Sequence, residues 1–234
     1  MSAATLVGIC LIISAGFGAY AAYKIKTANN TIEVTGSAKE SVTADFASWT
    51  INLDSKSPID NQQVGFNRLD SAKKTIVAYL QKKGFTNIET PAPSIHPDYY
   101  YPQNSAPVLT GYTVSRQIIV RSADVDGIAA LAENVAPLSG AGYNVSVNGV
   151  ELTYQKLTED RVTLLSQATK DAQARAAAIA RETGRSVDVL RSASGGVVQV
   201  LPAGSVEVSD YGMYDTQSKH KDIMVTVHAS FSLR

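Results

Sequence analysis

The first 23 residues, Met1 to Tyr23, carry no charged side chain, and the first charges along the chain are Lys24 and Lys26. An apolar run opens at Leu6-Val7-Gly8-Ile9-Cys10-Leu11-Ile12-Ile13 and continues through Phe17 to Tyr23. About 20 apolar residues in a helix cross the roughly 30 Å hydrocarbon layer of a bilayer. Tyr20 and Tyr23 fall where aromatic belts lie, and Lys24 and Lys26 stand where long cations reach back to water. A core helix of this length would carry a polar stripe, which is missing here. The run predicts a transmembrane helix over residues 5–23 and a lipid bilayer as its partner.

Ala19-Tyr20-Ala21 also fits a signal-peptide cleavage site, but the stretch before it lacks the Lys or Arg of a charged n-region. The balance favours a retained anchor over residues 1–26. Lys24 and Lys26 alone would place the body of the chain in the cytoplasm by the positive-inside rule, a weak signal from two residues. Gly8-Ile9-Cys10 has Ile where a lipidation site needs a small residue, so Cys10 reads as an ordinary apolar position. Ser14, Gly18 and Ala22 fall at i, i+4 and i+8, a face of small residues that lets two helices pack closely in lipid.

Beyond the head the chain has a different character. Setting Lys24 and Lys26 aside, 19 basic residues face 21 acidic ones, and the whole chain is formally neutral. A body without excess positive charge has no general field for nucleic acid, so no nucleic-acid partner is expected. An apolar share of 44% with 18% charged residues argues for a folded body. One cysteine excludes a disulfide framework and a C-x-x-C pair, and three scattered histidines predict no metal site.

Residues 27–30 read as a polar linker. Ile32 and Val34 alternate in a short strand, and Ala47, Trp49, Ile51 and Leu53 in a longer one. Ser57-Pro58 has the pattern of a helix start, Leu69, Ala72, Ile76 and Leu80 share one helical face, and Gly84 supplies a stop. Residues 88–95 predict an edge strand interrupted by Pro91 and Pro93. Five of the eight prolines fall between residues 91 and 107, predicting a surface loop around Tyr99-Tyr100-Tyr101. Tyr112, Val114, Ile118 and Val120 predict a strand, and Asp124 caps a helix stopped by Pro137. The phase slip at Asn148-Gly149 predicts a bulge rather than a hairpin. The longest helix is expected from Thr158 to Thr183, buried along Val162, Leu165, Ala172, Ala176 and Ile179. Val187 to Val200 predicts a strand broken at Ser194-Gly195-Gly196, and residues 202–221 a polar loop. Ile223 to Leu233 alternates without a fault.

This order predicts an α+β fold of antiparallel sheets packed with three main helices, preceded by one N-terminal transmembrane helix. Residues 31–234 form the α+β domain, within which 41–96 and 110–154 each read as β-α-β, the outline of two subdomains.

Nothing in the chain matches a G-x-S-x-G elbow, a phosphate-binding G-x-x-x-x-G-K-[ST] loop or an H-E-x-x-H zinc motif. No catalytic residue and no cofactor are expected. His96 stands two residues from Asp98, a spacing that could polarise an imidazole, although a solvated pair is the plainer reading. The charges of the longest helix read as a solvated face, with Asp171 and Arg175 a helpful i,i+4 pair. Tyr99, Tyr100 and Tyr101 expose large amphipathic surface of the kind enriched at interfaces, and are the candidate oligomer contact.

Thr31-Ile32-Glu33-Val34-Thr35-Gly36, Gly84-Phe85-Thr86-Asn87-Ile88-Glu89-Thr90, Leu109-Thr110-Gly111-Tyr112-Thr113-Val114-Ser115 and Val150-Glu151-Leu152-Thr153-Tyr154 occur in that order. They are followed by an alanine-rich helix with Ala172, Arg175, Ala176 and Ala180. Together these segments resemble the SIMPL-domain family of bacterial envelope proteins over about residues 31–234. The resemblance implies an exported protein without established enzymatic activity, of the periplasmic immunogenic or oxidative-stress-defence type. It also implies self-assembly, since at least one member forms a large ring-shaped homo-oligomer. The head departs from the cleavable signal expected of the family. The combined expectation is a non-enzymatic protein of the bacterial inner membrane, its C-terminal domain in the periplasm, assembled into a homo-oligomeric ring or cage. A monomeric periplasmic small-molecule-binding module and an unrecognised hydrolase are the alternatives.

Overall fold

Period-two alternation builds two antiparallel sheets, and three helices cover one face of each. The structure is a computed structural model that describes residues 12–22, 30–205 and 211–234. Helix α1 occupies residues 12–22. After it come β1 (Thr31–Thr43), β2 (Phe46–Ser57), α2 (Gln63–Lys82), β3 (Ile88–Glu89), β4 (Ser94–Tyr100) and β5 (Val108–Ser122). The rest comprises α3 (Val125–Glu133), β6 (Asn144–Val147), β7 (Glu151–Thr153), α4 (Leu157–Glu182), β8 (Val187–Pro202) and β9 (His220–Leu233).

One sheet has the order β1-β9-β8 and is covered by α4. The other runs β3-β5-β2-β6, with β4 also on β5 and β7 also on β2, and is covered by α2 and α3. The expected β-α-β segments 41–96 and 110–154 therefore contribute mainly to a single sheet. The three-stranded sheet is made from the two ends of the domain.

The α+β class and the antiparallel pairing agree with expectation. In α2 the buried residues include Leu69, Ala72, Ile76 and Leu80, the predicted face. Gly84 takes φ +97° beyond its end, and Phe85 N–H donates to Leu80 O at 3.1 Å. Asp124 accepts from Gly127 N–H at 2.9 Å and caps α3. Asn148-Gly149 is a bulge: Ile51 pairs with Val147 and Ala47 with Leu152, so five edge residues span four of β2.

Several boundaries differ. Ser57 ends β2 rather than capping α2, whose N-cap is Gln62. It still serves the helix, because its Oγ accepts from Gly65 N–H at 2.9 Å. Pro137 lies inside a short 3₁₀ turn, Ala136–Leu138, after α3 has ended at Glu133. Helix α4 starts at Leu157 without a side-chain cap, so Thr158 is inside it. Its buried stripe is Leu164, Ala168, Ala172, Ala176 and Ala180, while Val162 is 70% exposed and Ile179 52%. Strand β8 is continuous through Ser194-Gly195-Gly196, with one register shift, between Gly195 and Val198, where the sequence predicts a break, and two more between Val187 and Ser192.

Helix α1 is exposed along its described length. Among the described residues no helix is long and apolar enough to cross a membrane. Residues 5–11 and 23 of the expected span lie outside the described residues. Ser14, Gly18 and Ala22 lie within α1, and a Cβ on Gly18 would meet nothing within 4 Å among the described residues.

Candidate functional site

Helix α4 covers one face of the three-stranded sheet and leaves the other open. On that open face Thr35, His228 and Ser194 lie in one row across β1, β9 and β8, with Glu33, Ser230 and Ser192 in the next. His228 Nδ1 is 2.9 Å from Thr35 Oγ1. These rows line a cavity of about 380 Å³. A second, of about 770 Å³, shares Thr35 and His228 and extends past Gly196 to Tyr211 and Arg161. The face offers hydroxyls and an imidazole to a polar ligand. His228 is exposed on this face.

His96 and Asp98 do not bond to each other, in keeping with the solvated reading of His96. Asp98 receives Lys56 Nζ at 2.8 Å and the Thr113 hydroxyl at 2.8 Å, and these bonds hold its carboxyl below the usual range. His96 is exposed in β4, and His220 is exposed at the start of β9. Among the described residues no three His, Cys, Asp or Glu side chains are grouped to hold a metal.

The start of β9 hides charges that the sequence pattern alone places in a polar loop. Lys221 shares parity with Ile223 and Val225 and is fully buried. Its Nζ donates to Asp215 O at 2.6 Å and lies 3.0 Å from Asp215 Oδ2. Burial would raise the Asp215 carboxyl, but the amides of Gln217 and Ser218 together with Lys221 hold it low. On the opposite parity, Asp222 receives Lys39 Nζ at 2.7 Å, Ser41 Oγ at 2.6 Å and Gly204 N–H at 2.8 Å. Tyr154 donates its hydroxyl to Asp160 Oδ2 at 2.5 Å, and that bond first, then burial, pushes its pKa up to about 12. These bonds fasten residues 204 and 215–218 to the start of β9.

Tyr99 and Tyr100 are not in a loop. They lie in β4, paired with Leu109 and Val108 of β5, and Tyr101 comes directly after. Pro97 is tolerated because β4 is an outer strand of its sheet. All three tyrosines are exposed, with the Tyr99 and Tyr101 ring centroids 6.4 Å apart. The structure thus presents the predicted aromatic cluster on a hairpin.

The edges of the three-stranded sheet differ. Beside β1, the Asp171 carboxylate of α4 accepts Ser37 N–H at 2.8 Å and is held by Arg175 at 2.7 Å. That bond occupies an outward backbone donor and depresses the Asp171 carboxyl. Along β8, residues 213–215 cover Val200, where Val200 N–H donates to Met213 O at 2.7 Å. From Asp188 to Gly195 β8 is exposed, and no other strand among the described residues pairs with it besides β9. Val189, Leu190 and Val197 are exposed there.

A family model described as SIMPL, protein of unknown function (DUF541), matches residues 32–231. The chain belongs to the SIMPL family. No curated protein sequence matches it. Among solved structures, a hydrolase from Listeria innocua is similar at 10% identity, with 84% of this chain and 91% of that one covered and a TM-score of 0.16. A superposition that loose says nothing about activity.

Proposed function

We propose that this SIMPL protein is a non-enzymatic structural component of the bacterial envelope that assembles with copies of itself. The observation that carries this reading is the asymmetry of the three-stranded sheet. One outward donor of its β1 edge, Ser37 N–H, is taken by the Asp171 carboxylate that Arg175 holds, whereas its β8 edge is exposed from Asp188 to Gly195. An unpaired strand edge is a template for another chain, and proteins that stay single usually blunt it. The stretch Ser192–Gly195 is straight, uncharged and free of proline, with exposed apolar side chains on either side. Two copies meeting at β8 would extend the sheet across a two-fold axis. The Tyr99–Tyr101 hairpin, carried on the other sheet, supplies a second, separate contact. Two distinct two-fold contacts that alternate around an axis can close a ring or cage.

The apolar head supports anchoring at the inner membrane, and the family resemblance, against the weak signal of Lys24 and Lys26, favours a body on the periplasmic side. Tethering would gather the copies and raise the effective concentration for weak body–body contacts. Light scattering of the full chain in detergent tests the assembly. Oligomers are expected for the wild type, and smaller species for a V189K/V197K variant. A strict monomer at micromolar wild-type concentration rejects the reading.

A further inference from the structure

On β5 the residues facing α2 are Val114, Arg116, Ile118 and Val120, three apolar side chains and one arginine. Arg116 pairs across the sheet with Leu53, which is fully buried. The arginine side chain keeps only 10% of its exposure. Among the described residues just two buried side-chain nitrogens lack an acceptor, Trp49 Nε1 and Arg116 Nε. A guanidinium has five donors, and the ion pair it makes among the described residues is with Asp70 Oδ1, 3.1 Å from Nη1. That carboxylate is half exposed and shared with Lys73 at 3.3 Å. Its lowered pKa comes first from the Lys73 bond and only later from Arg116. A buried charge this sparsely bonded is costly unless another acceptor completes it.

Room for one exists. Arg116 and Asp70 line a cavity of about 310 Å³ beside α2, with Phe66 as its apolar wall. The next turns of α2 line a further cavity of about 330 Å³, with Lys73 and Lys74 beside Val77, Ala78 and Ile88. The outer strand is interrupted alongside. Strand β3 pairs with Ile119 and Val120, β4 begins its pairing at Ser115, and Pro91 and Pro93 fall between them. Three cations and one carboxylate give this groove a net positive charge.

We infer that the groove between α2 and β5 binds a small amphipathic monocarboxylate, its carboxylate on the Arg116 guanidinium and its apolar part along α2. A planar two-oxygen anion matches the guanidinium fork, which a tetrahedral anion fits less well. The neighbouring Asp70 carboxylate further disfavours a dianion such as phosphate. Phe66, Val77, Ala78 and Ile88 supply apolar surface for a short chain or ring. This site shares no residue with the β8 edge or the tyrosine hairpin and stands apart from self-assembly.

The test uses the full chain in a non-ionic detergent, with hexanoate as probe and hexanol and inorganic phosphate as comparators. Hexanoate should raise the melting temperature saturably at millimolar concentration, while hexanol and phosphate do not. R116M should weaken hexanoate at least tenfold, and D70N should tighten it about threefold by freeing the guanidinium and Lys73. If R116M does not fold, arginine-selective ¹⁵N labelling of the wild type decides, with one Nε–H resonance expected to move on titration. The inference is overturned by equal hexanoate affinity in folded R116M, by phosphate or hexanol acting as strongly as hexanoate, or by an unmoved Nε–H spectrum.

Discussion

Asp222 keeps its charge with a side chain only 3% exposed, because Lys39, Ser41 and the Gly204 amide converge on it. Lys39 contributes most to holding its pKa down at about 2, against 3.8 for an ordinary aspartate. The unfolded chain therefore takes up a proton before the folded one does as pH falls. The resulting stability is full above about pH 5 and is lost as pH drops through about 2. Half-exposure of Lys39 weakens its part, so the contribution is about 1–2 kcal/mol. Asp222→Asn should lower the neutral-pH unfolding free energy by that amount, and the gap to wild type should close between pH 5 and pH 2. A constant gap across that range in denaturant titrations would show that the charge is not what matters. Tyr154 has the opposite sign. Its raised pKa stabilises the fold below about pH 10, and this is lost as pH rises through about 12. Ultraviolet titration should find a late tyrosine that is missing in Tyr154→Phe.

At the scale of elements, α4 is positioned by what its sheet lacks. A Cβ on Gly36 of β1 would lie 2.1 Å from Ala168 O and 2.4 Å from Ala172 N, both backbone atoms. Glycine there and the alanine stripe above let the helix sit close to the strand. Gly36→Ala should therefore destabilise by about 3 kcal/mol, through displacement of α4. A change under 0.5 kcal/mol in urea unfolding would contradict that packing. The same contact explains why the expected stripe of α4 holds at Ala172 and Ala176 but fails at Val162 and Ile179. Periodicity weights Val162 and Ile179, the larger side chains, whereas close approach selects small ones. Where burial follows side-chain size, as in α2 and β9, the pattern is readable residue by residue. Strand β4 is hidden by its prolines, which exclude an inner strand but not an outer one. The Tyr99–Tyr101 cluster is legible as exposed aromatic surface, though not its place on a hairpin. Arg116 and Lys221 each leave a signal, a lone cation on the buried parity of an alternating strand. The partners that give them meaning, Asp70 and Asp215, lie on other segments, and strand parity alone cannot supply them.

Across the whole molecule, two short connections join two separately built cores, residues 44–45 between β1 and β2 and residues 154–156 between β7 and α4. Trp49, Ile51, Leu69 and Ile118 belong to a large cluster within the six-stranded sheet and its helices. Under α4 there are two smaller clusters, around Ala172 and Phe231 and around Leu164 and Ile223. Between β1 and β2 only Ala44 and Asp45 cross from one sheet to the other. What ties the layers is the 211–219 segment. Ala44 N–H donates to Lys219 O, Leu152 N–H to Thr216 O, and Lys219 meets Asp126 of α3 at 2.6 Å. The Tyr214 hydroxyl accepts from Tyr154 N–H at 3.0 Å and faces Tyr154 O at 3.2 Å. With these bonds intact the layers should unfold together, so that Trp49 fluorescence, which reports the six-stranded layer alone, and far-UV circular dichroism give coincident denaturation curves. A Y214F/K219A variant removes the tyrosine bonds and the Asp126 pair without touching either core. Its circular dichroism midpoint should then fall below its fluorescence midpoint, because the α4 layer has the smaller core and loosens first. Curves that still superimpose in the variant would mean that the cores are coupled through the chain connections at residues 44–45 and 154–156 rather than through the 211–219 segment.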